Sequence, residues 1–416
     1  MPPMPPKGDE KMLILSLPAI YSLELTSACS NCCPGCSNVY AADRSPPPLP
    51  ASTWERWLEA LAPEAVRLRL TGGEPTLHPE FHRILQAATA YDAWVTVFSN
   101  ARWEDPATFV QRLSGLPHLS GLLVSLHGAT PHSHEAYTRV PGSFEETVAN
   151  IRLAIDGGIS VAISTIITHH NWDRLDAVAA LGEELGVDHV AFNRYLGHRL
   201  PGIETTPEEM RAAVEQVEAL IDAGAPVRYG IGLPQCFAPN RSEGCPAGAT
   251  YAAIDPWGNV RPCAHSPTVV GSLHQASMET LWHGEAMRAW RALMPIECQA
   301  CAAYTICHGG CRAIQELRPA QRDPLRGRPL DDYTFPQPTH ELPAEGRPHT
   351  SARLRPESFG YVLLGQGQAA PLRAEARPVI EACNGHSTLS QLASRFGQPA
   401  IDLIGELWIR GLIEMI

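Results

Sequence analysis

Between residues 20 and 195, six short apolar segments alternate with amphipathic ones, and this rhythm limits the possible folds more than any other feature of the chain. The segments are 20–26, 65–70, 94–99, 121–126, 159–167 and 187–193, all apolar or β-branched in the manner of strands buried on both faces. Helical spacing fills the gaps. Two of the intervening stretches open on a capping-box pattern, Ser52-x-x-Glu55 and Ser143-x-x-Glu146. Six βα units with right-handed crossovers predict an α/β fold, a partial (β/α)6 version of the eightfold barrel.

Polar motifs follow the strand ends. Cys29–Cys36 follows the first, Gly72-Gly73-Glu74-Pro75 the second and Ser99-Asn100 the third, while Ser125 sits near the end of the fourth. Parallel α/β folds gather those ends on one face, where active sites form. One site built from several loops is expected.

Cysteine placement adds a second constraint. Of twelve cysteines, four fall at 29–36, seven at 236–311 and one at 383. With no signal-peptide layout, and an apolar run at 12–20 interrupted by Pro18, the thiols suit a reducing cytoplasm and metal or cluster binding. No run of 18 apolar residues spans a membrane, and a net charge of −12 argues against nucleic acid or anionic lipid as the main partner.

The loop Cys29-Ser-Asn-Cys-Cys-Pro-Gly-Cys36 contains Cys-x3-Cys-x2-Cys through Cys29, Cys33 and Cys36. Three thiolates on one tight loop can hold three irons of a [4Fe–4S] cube and leave the fourth open. Together with Gly72-Gly73-Glu74-Pro75 after the next strand, this loop resembles the radical S-adenosylmethionine (SAM) superfamily over residues 20 to about 195. The resemblance implies S-adenosyl-L-methionine as cofactor, with Gly72, Gly73, Glu74 and Pro75 at its amino group. It also implies Ser125 and Arg139 at its ribose and carboxylate, and Ser99 and Asn100 facing the nucleoside. An electron donor such as flavodoxin or ferredoxin is implied as a partner. Where the family usually carries an aromatic residue before the third cysteine, this chain has Gly35; Cys32 is additional and outside the spacing. A structural zinc loop is the bland alternative.

Residues 236–311 break the βα rhythm. Cys245-x12-Gly258-x4-Cys263, then Cys298-x2-Cys301-x5-Cys307-x3-Cys311, resembles the SPASM extension of radical SAM maturases, which holds auxiliary iron–sulfur clusters. By that resemblance Cys236, Cys245, Cys263 and Cys311 ligate one auxiliary cluster, and Cys298, Cys301 and Cys307 a second. The pattern's last cysteine is missing, for 312–382 contain none. Asp323, Asp331, His308, an external thiol or the substrate stand as the fourth ligand, or the second cluster is incomplete.

Residues 319–351, with seven prolines, read as an extended linker. It divides a core at 1–230 and a cluster domain at 231–318 from a small domain at 352–416. That last part is expected to hold a hairpin (361–364, 369–372) and helices near 374–383, 388–396 and 399–410. Through Phe359-Gly-Tyr-Val-Leu-Leu364, Glu381-Ala-Cys-Asn-Gly385 and the closing helix, it resembles the winged-helix-like α+β peptide chaperone of pyrroloquinoline-quinone biosynthesis, the PqqD-like domain. Such domains bind the leader of a ribosomally made precursor peptide at a sheet edge. The chain therefore reads as a radical SAM maturase of precursor peptides, with no residue nominated as a general acid or base. Two other readings stay open. One is a related enzyme acting on a folded protein or small molecule, as in sulfatase activation or tetrapyrrole modification. The other is an iron–sulfur or zinc-binding redox sensor.

Overall fold

The computed structural model describes residues 12–37, 46–238, 244–319, 323–333, 342–343 and 345–416. Its centre is a ten-stranded sheet. The first half runs β1 (Ile20–Glu24), α1 (Ala51–Leu61), β2 (Arg67–Thr71), α2 (Phe81–Thr89), β3 (Trp94–Ser99), α3 (Pro106–Leu113) and β4 (Leu119–Ser125). It continues through α4 (Pro131–Thr138), α5 (Ser143–Asp156), β5 (Val161–Ile167), α6 (Leu175–Leu185), β6 (Val190–Arg194), α7 (Pro207–Asp222) and β7 (Val227–Tyr229). Strands β1 to β7 pair in parallel in chain order. All six expected strands form. The sheet stays open, and it is wider than six strands: β7 extends one edge, and β8 (Tyr251–Ile254) pairs in parallel with β1 at the other. β9 (Asn259–Arg261) and β10 (Gly271–Ser272) then add antiparallel.

The two faces of this sheet differ. Leu68, Leu70, Val95, Val97, Leu122, Val124 and Ile163 are buried, in one core with Trp54, Ile84, Phe109 and Ile151 from the helices. Alternate positions such as Arg69, Thr96, Phe98, Ser125, Ser164 and Asn193 are only half-buried. This second face is only partly covered, so burial alternates in the middle strands instead of running continuously.

Both expected capping boxes are corrected. α1 starts at Ala51 after Pro50 and α5 at Ser143 after Gly142, and neither has a side-chain cap. The serines therefore fall inside the first turn. Glu55 pairs instead with Arg83 at 2.7 Å and Glu146 with Arg102 at 2.7 Å. Capping boxes do form at Thr130/Ser133, Thr206/Glu209 and Thr388/Gln391.

Short helices α8 (Met278–Trp282), α9 (Glu285–Arg291), α10 (Tyr304–Cys307) and α11 (Arg312–Leu317) complete the cysteine-rich region. A buried Arg261–Glu24 ion pair fastens it to β1. The stretch expected as a linker is partly packed: Leu325 joins the main core and Asp323 is gripped by Arg194 through two 2.8 Å bonds.

The chain closes with β11 (Pro348–His349), β12 (Arg353–Glu357), β13 (Gly360–Gly365), β14 (Gln368–Leu372), α12 (Arg377–Ala382), α13 (Leu389–Phe396), α14 (Gln398–Ile409) and β15 (Glu414–Met415). β12, β13 and β14 form an antiparallel sheet over a separate core of Leu363, Leu372, Ile380, Leu392, Ile404 and Leu407. Val362 and Leu364, on its other face, bury themselves against Leu15, Ala19 and Val66. Those residues precede β1 and β2, so this module sits at the strand starts, opposite the cysteine loop. Among the described residues no helix is long and apolar enough to cross a membrane.

Candidate cofactor and cluster sites

The loops after β1, β2 and β3 are hydrogen-bonded into one body. The Gly73 N–H donates to Thr26 O and the Glu74 N–H to Ala28 O, both at 2.7 Å. A Cβ on Gly73 would run into the Ala28 carbonyl, and one on Gly72 into that of Thr26. The two glycines thus allow the second loop to lie directly on the chain leading into the cysteines.

Glu74 does not reach outward. It is fully buried; its Oε1 accepts from Ser99 Oγ (2.9 Å) and Thr76 Oγ1 (2.7 Å), and its Oε2 from the Asn100 N–H (2.7 Å). The carboxylate expected to meet an ammonium group instead ties β2 to β3. Burial pushes its pKa up, against the pull of the Asn100, Thr76 and Ser99 donors. Asn100 Nδ2 then contacts Ser30 Oγ at 2.9 Å and Cys29 Sγ at 3.7 Å.

Cys29, Cys33 and Cys36 share this mouth. Burial raises the Cys33 thiol strongly, followed by the neighbouring Cys36 and Cys29 thiols. Cys32 is exposed, its N–H bonded to Thr138 O. Among the described residues, no three His, Cys, Asp or Glu side chains converge as one zinc ion would require. Three thiols around a common space, with mutual repulsion that metal would relieve, fit a [4Fe–4S] cube.

Ser125 is half-buried on the partly covered face beside Ser164, its partner in β5. Arg139 caps α4 in a left-handed conformation (φ 57°); its side chain is exposed and makes no ion pair among the described residues.

Two residues were not legible beforehand. Arg102 donates to Ser30 O (2.7 Å) and Asn31 Oδ1 (3.0 Å), clamping the cysteine loop. Tyr195, just past β6, presses its ring on Gly35, where a Cβ would collide with the phenol oxygen. It packs with Tyr137, Ile203 and Cys33. The aromatic group absent at position 35 is supplied from 160 residues away along the chain. Only the ordinary Tyr-after-strand composition marked it beforehand, and that is no signal.

The second cysteine group divides differently from the expected partition. Cys263 is raised by burial and then by Cys245 and Cys311, and Cys311 is pushed up to about 11 by burial and then by Cys245. Cys236 is elsewhere: with Cys298, Cys301 and Cys307 it lines a cavity of about 390 Å³, part of it open to solvent. The candidate fourth ligands are otherwise engaged or outside this cavity. Asp323 is held by Arg194, His308 Nδ1 contacts Cys245 O at 2.8 Å, and Asp331 is exposed. Cys383 is buried in the C-terminal core, its Sγ contacting Val379 O.

The radical SAM superfamily model matches residues 23–182, and the SPASM model, an iron–sulfur cluster-binding domain, matches 245–311. A radical SAM domain is joined here to a SPASM domain. These domains imply SAM, a [4Fe–4S] cluster and auxiliary iron–sulfur clusters. The chain is 26% identical over 349 residues to the PqqA peptide cyclase of Ruegeria pomeroyi, covering 78% of this chain and 91% of that one. It is 28% identical over 396 residues to the mycofactocin maturase MftC of Mycobacterium tuberculosis, covering 89% and 95%. Streptococcus suis SuiB bound to S-adenosylmethionine has a similar fold, with a TM-score of 0.61 at 18% identity over 76% of this chain and 77% of that one. anSMEcpe with bound AdoMet gives a TM-score of 0.57 at 16% identity, over 76% and 93%. The radical SAM match thus ends within α6, before β6, α7 and β7, and the SPASM match runs from Cys245 to Cys311.

Proposed function

We propose that this protein is a radical SAM maturase that modifies a ribosomally made precursor peptide. The observation carrying this is the convergence of the Cys29–Cys36 loop, the Gly72–Pro75 loop and Ser99-Asn100 at one end of the parallel strands. Relatives named PqqA peptide cyclase and mycofactocin maturase support the substrate class.

Bound SAM and its cluster would supply a 5′-deoxyadenosyl radical for hydrogen abstraction. The chain's own residues do the holding. Cys29, Cys33 and Cys36 would hold the cluster as thiolates, and the burial that keeps the Cys33 thiol protonated without metal would strengthen its bond to it. Arg102, Asn100 and Glu74 fix the loop's position. Arg139 offers an unpaired fork to a carboxylate, Ser125 a hydroxyl to the ribose, and the backbone of Gly72–Pro75 its acceptors to the amino group. Tyr195 closes the side left open by Gly35.

In this reading the C-terminal module is PqqD-like and takes the peptide leader along an edge of the β12–β13–β14 sheet. Because it sits at the strand starts, leader and reacting residue lie on opposite ends of the barrel. A five-residue strand spans about 17 Å, so at least about five extended residues must separate them. The protein works in the cytoplasm, reduced by a flavodoxin or ferredoxin.

The test is anaerobic turnover of the loaded protein with SAM, a low-potential reductant and candidate peptides. 5′-Deoxyadenosine together with a peptide mass change supports the proposal. A fully loaded protein that never cleaves SAM sinks it.

A further inference from the structure

We propose that Cys236, which lies outside the matched SPASM segment, is the fourth thiolate of the auxiliary cluster held by Cys298, Cys301 and Cys307, and so replaces the cysteine that 312–382 lacks. This rests on the reading of 236–311 as cluster-binding. Four observations carry it.

All four thiols line the same cavity, and none of Cys245, Cys263 or Cys311 does. Four sulfurs is also the number that closes a cubane. Backbone N–H groups surround them as they do cluster thiolates: Gly327 N–H donates to Cys236 Sγ at 3.3 Å, Leu330 N–H to Cys301 Sγ at 3.2 Å and Gln235 N–H to Cys307 Sγ at 3.4 Å. Such bonds stabilise negative sulfur and tune the cluster potential. Arg326 lines the cavity as well, 8% exposed, its Nη1 3.6 Å from the half-exposed Glu297 and its Nε buried without a partner among the described residues. A cube with four thiolates is a net anion, and a buried cation beside it offsets the cost of burying that charge.

The 323–333 segment supplies two of those three donors, which explains why a proline-rich stretch packs down. Tyr333 Oη meets Gln235 Nε2 at 2.7 Å, pinning the far end of this lid next to Cys236. The sequence places Cys236 only nine residues before Cys245, yet Cys236 lines this cavity and Cys245 does not. The consequence is an exchange of character. The cluster at Cys236/Cys298/Cys301/Cys307 has no free corner for a substrate, whereas Cys245, Cys263 and Cys311 hold a three-thiolate set.

Full-length protein is reconstituted anaerobically as wild type and as Cys236→Ala, Cys298→Ala and Cys263→Ala, then assayed for iron and sulfide and by EPR after dithionite reduction. Three cubes correspond to about twelve irons. Cys236→Ala and Cys298→Ala are expected to diminish the same EPR signal and leave intact the one that Cys263→Ala removes. Cys236→Ser, keeping a weaker oxygen ligand, is expected to retain that cluster with altered g values, which guards against simple misfolding. The proposal is overturned if Cys236→Ala abolishes the signal lost in Cys263→Ala, or if it leaves every signal and the iron count at wild-type values. A wild type with no auxiliary-cluster signal would instead defeat the cluster reading of the whole region.

Discussion

Replacing Glu74 by Gln tests the claim that this residue is a structural keystone of the site. Ser99 Oγ already accepts from the Ala101 N–H and from Trp103 Nε1, both at 2.9 Å, so its own hydrogen must go to Glu74 Oε1. The Asn100 N–H has only Oε2 at 2.7 Å. A glutamine has one acceptor oxygen and one NH2. Whichever way the amide turns, its NH2 opposes a buried donor. One unmade bond of this kind costs about 1–3 kcal/mol, and Glu74→Ala, which strands both Ser99 and Asn100, costs about 2–6 kcal/mol before any cavity term. The sign with pH follows from burial. The carboxyl's pKa is raised above its ordinary 4.5, so folding takes up a proton between the ordinary and the raised value. Glu74 therefore favours the folded state at pH below the ordinary value and loses that contribution as pH rises through the folded one; Gln removes this segment of the profile. Anaerobic urea titrations of wild type, Gln and Ala forms, followed by cluster absorbance and tryptophan fluorescence, measure both effects. If Glu74→Gln stays within about 0.5 kcal/mol of wild type and keeps full iron, the keystone argument is wrong.

Gly35→Phe should eliminate the EPR signal of the first cluster through collision with Tyr195, and adding Tyr195→Ala should restore part of it, the left-handed backbone (φ 69°) still straining the new side chain; a silent single variant would refute the shared slot. Arg355→Ala takes the cation away from Glu357, whose side chain is 1% exposed and keeps the Ser16 N–H and hydroxyl as donors, and cuts the bond to Leu17 O. Breaking such a buried pair costs about 3–5 kcal/mol, read as faster proteolytic release of the C-terminal module. His127 and His134 stack at 5.8 Å, and each Nδ1 accepts a backbone N–H. Burial lowers them from 6.5 to about 3 and about 4. Both stay neutral in the fold, so stability is complete above pH 6.5 and falls below it by up to about 1.4 kcal/mol per pH unit for each ring. Thermal unfolding from pH 7.5 to 5.5 should flatten in His134→Gln.

Local pattern was enough for the βα order, the position of all six central strands and the helices of the C-terminal module, because strand and helix periodicity are written in neighbouring residues. It was also enough to mark the cysteine loop and the Gly-Gly-Glu-Pro turn. Contacts between distant segments were not written that way. Strand β8, beside β1, arrives from residue 251, and the capping boxes failed because the helix starts moved by one or two residues. Spacing could not say which of the seven cysteines share a cavity.

What the sequence alone determined is the chemistry on offer: three thiols at fixed spacing after a strand, glycines slender enough for a second loop to lie on the first, and a second store of thiols. Tertiary structure decided which groups meet. It turned Glu74 inward, brought Tyr195 onto Gly35, and set Cys236 in one cavity with Cys298, Cys301 and Cys307. Ligand sets and packing contacts depend on three-dimensional distance, and only the closed fold specifies distances between residues far apart along the chain.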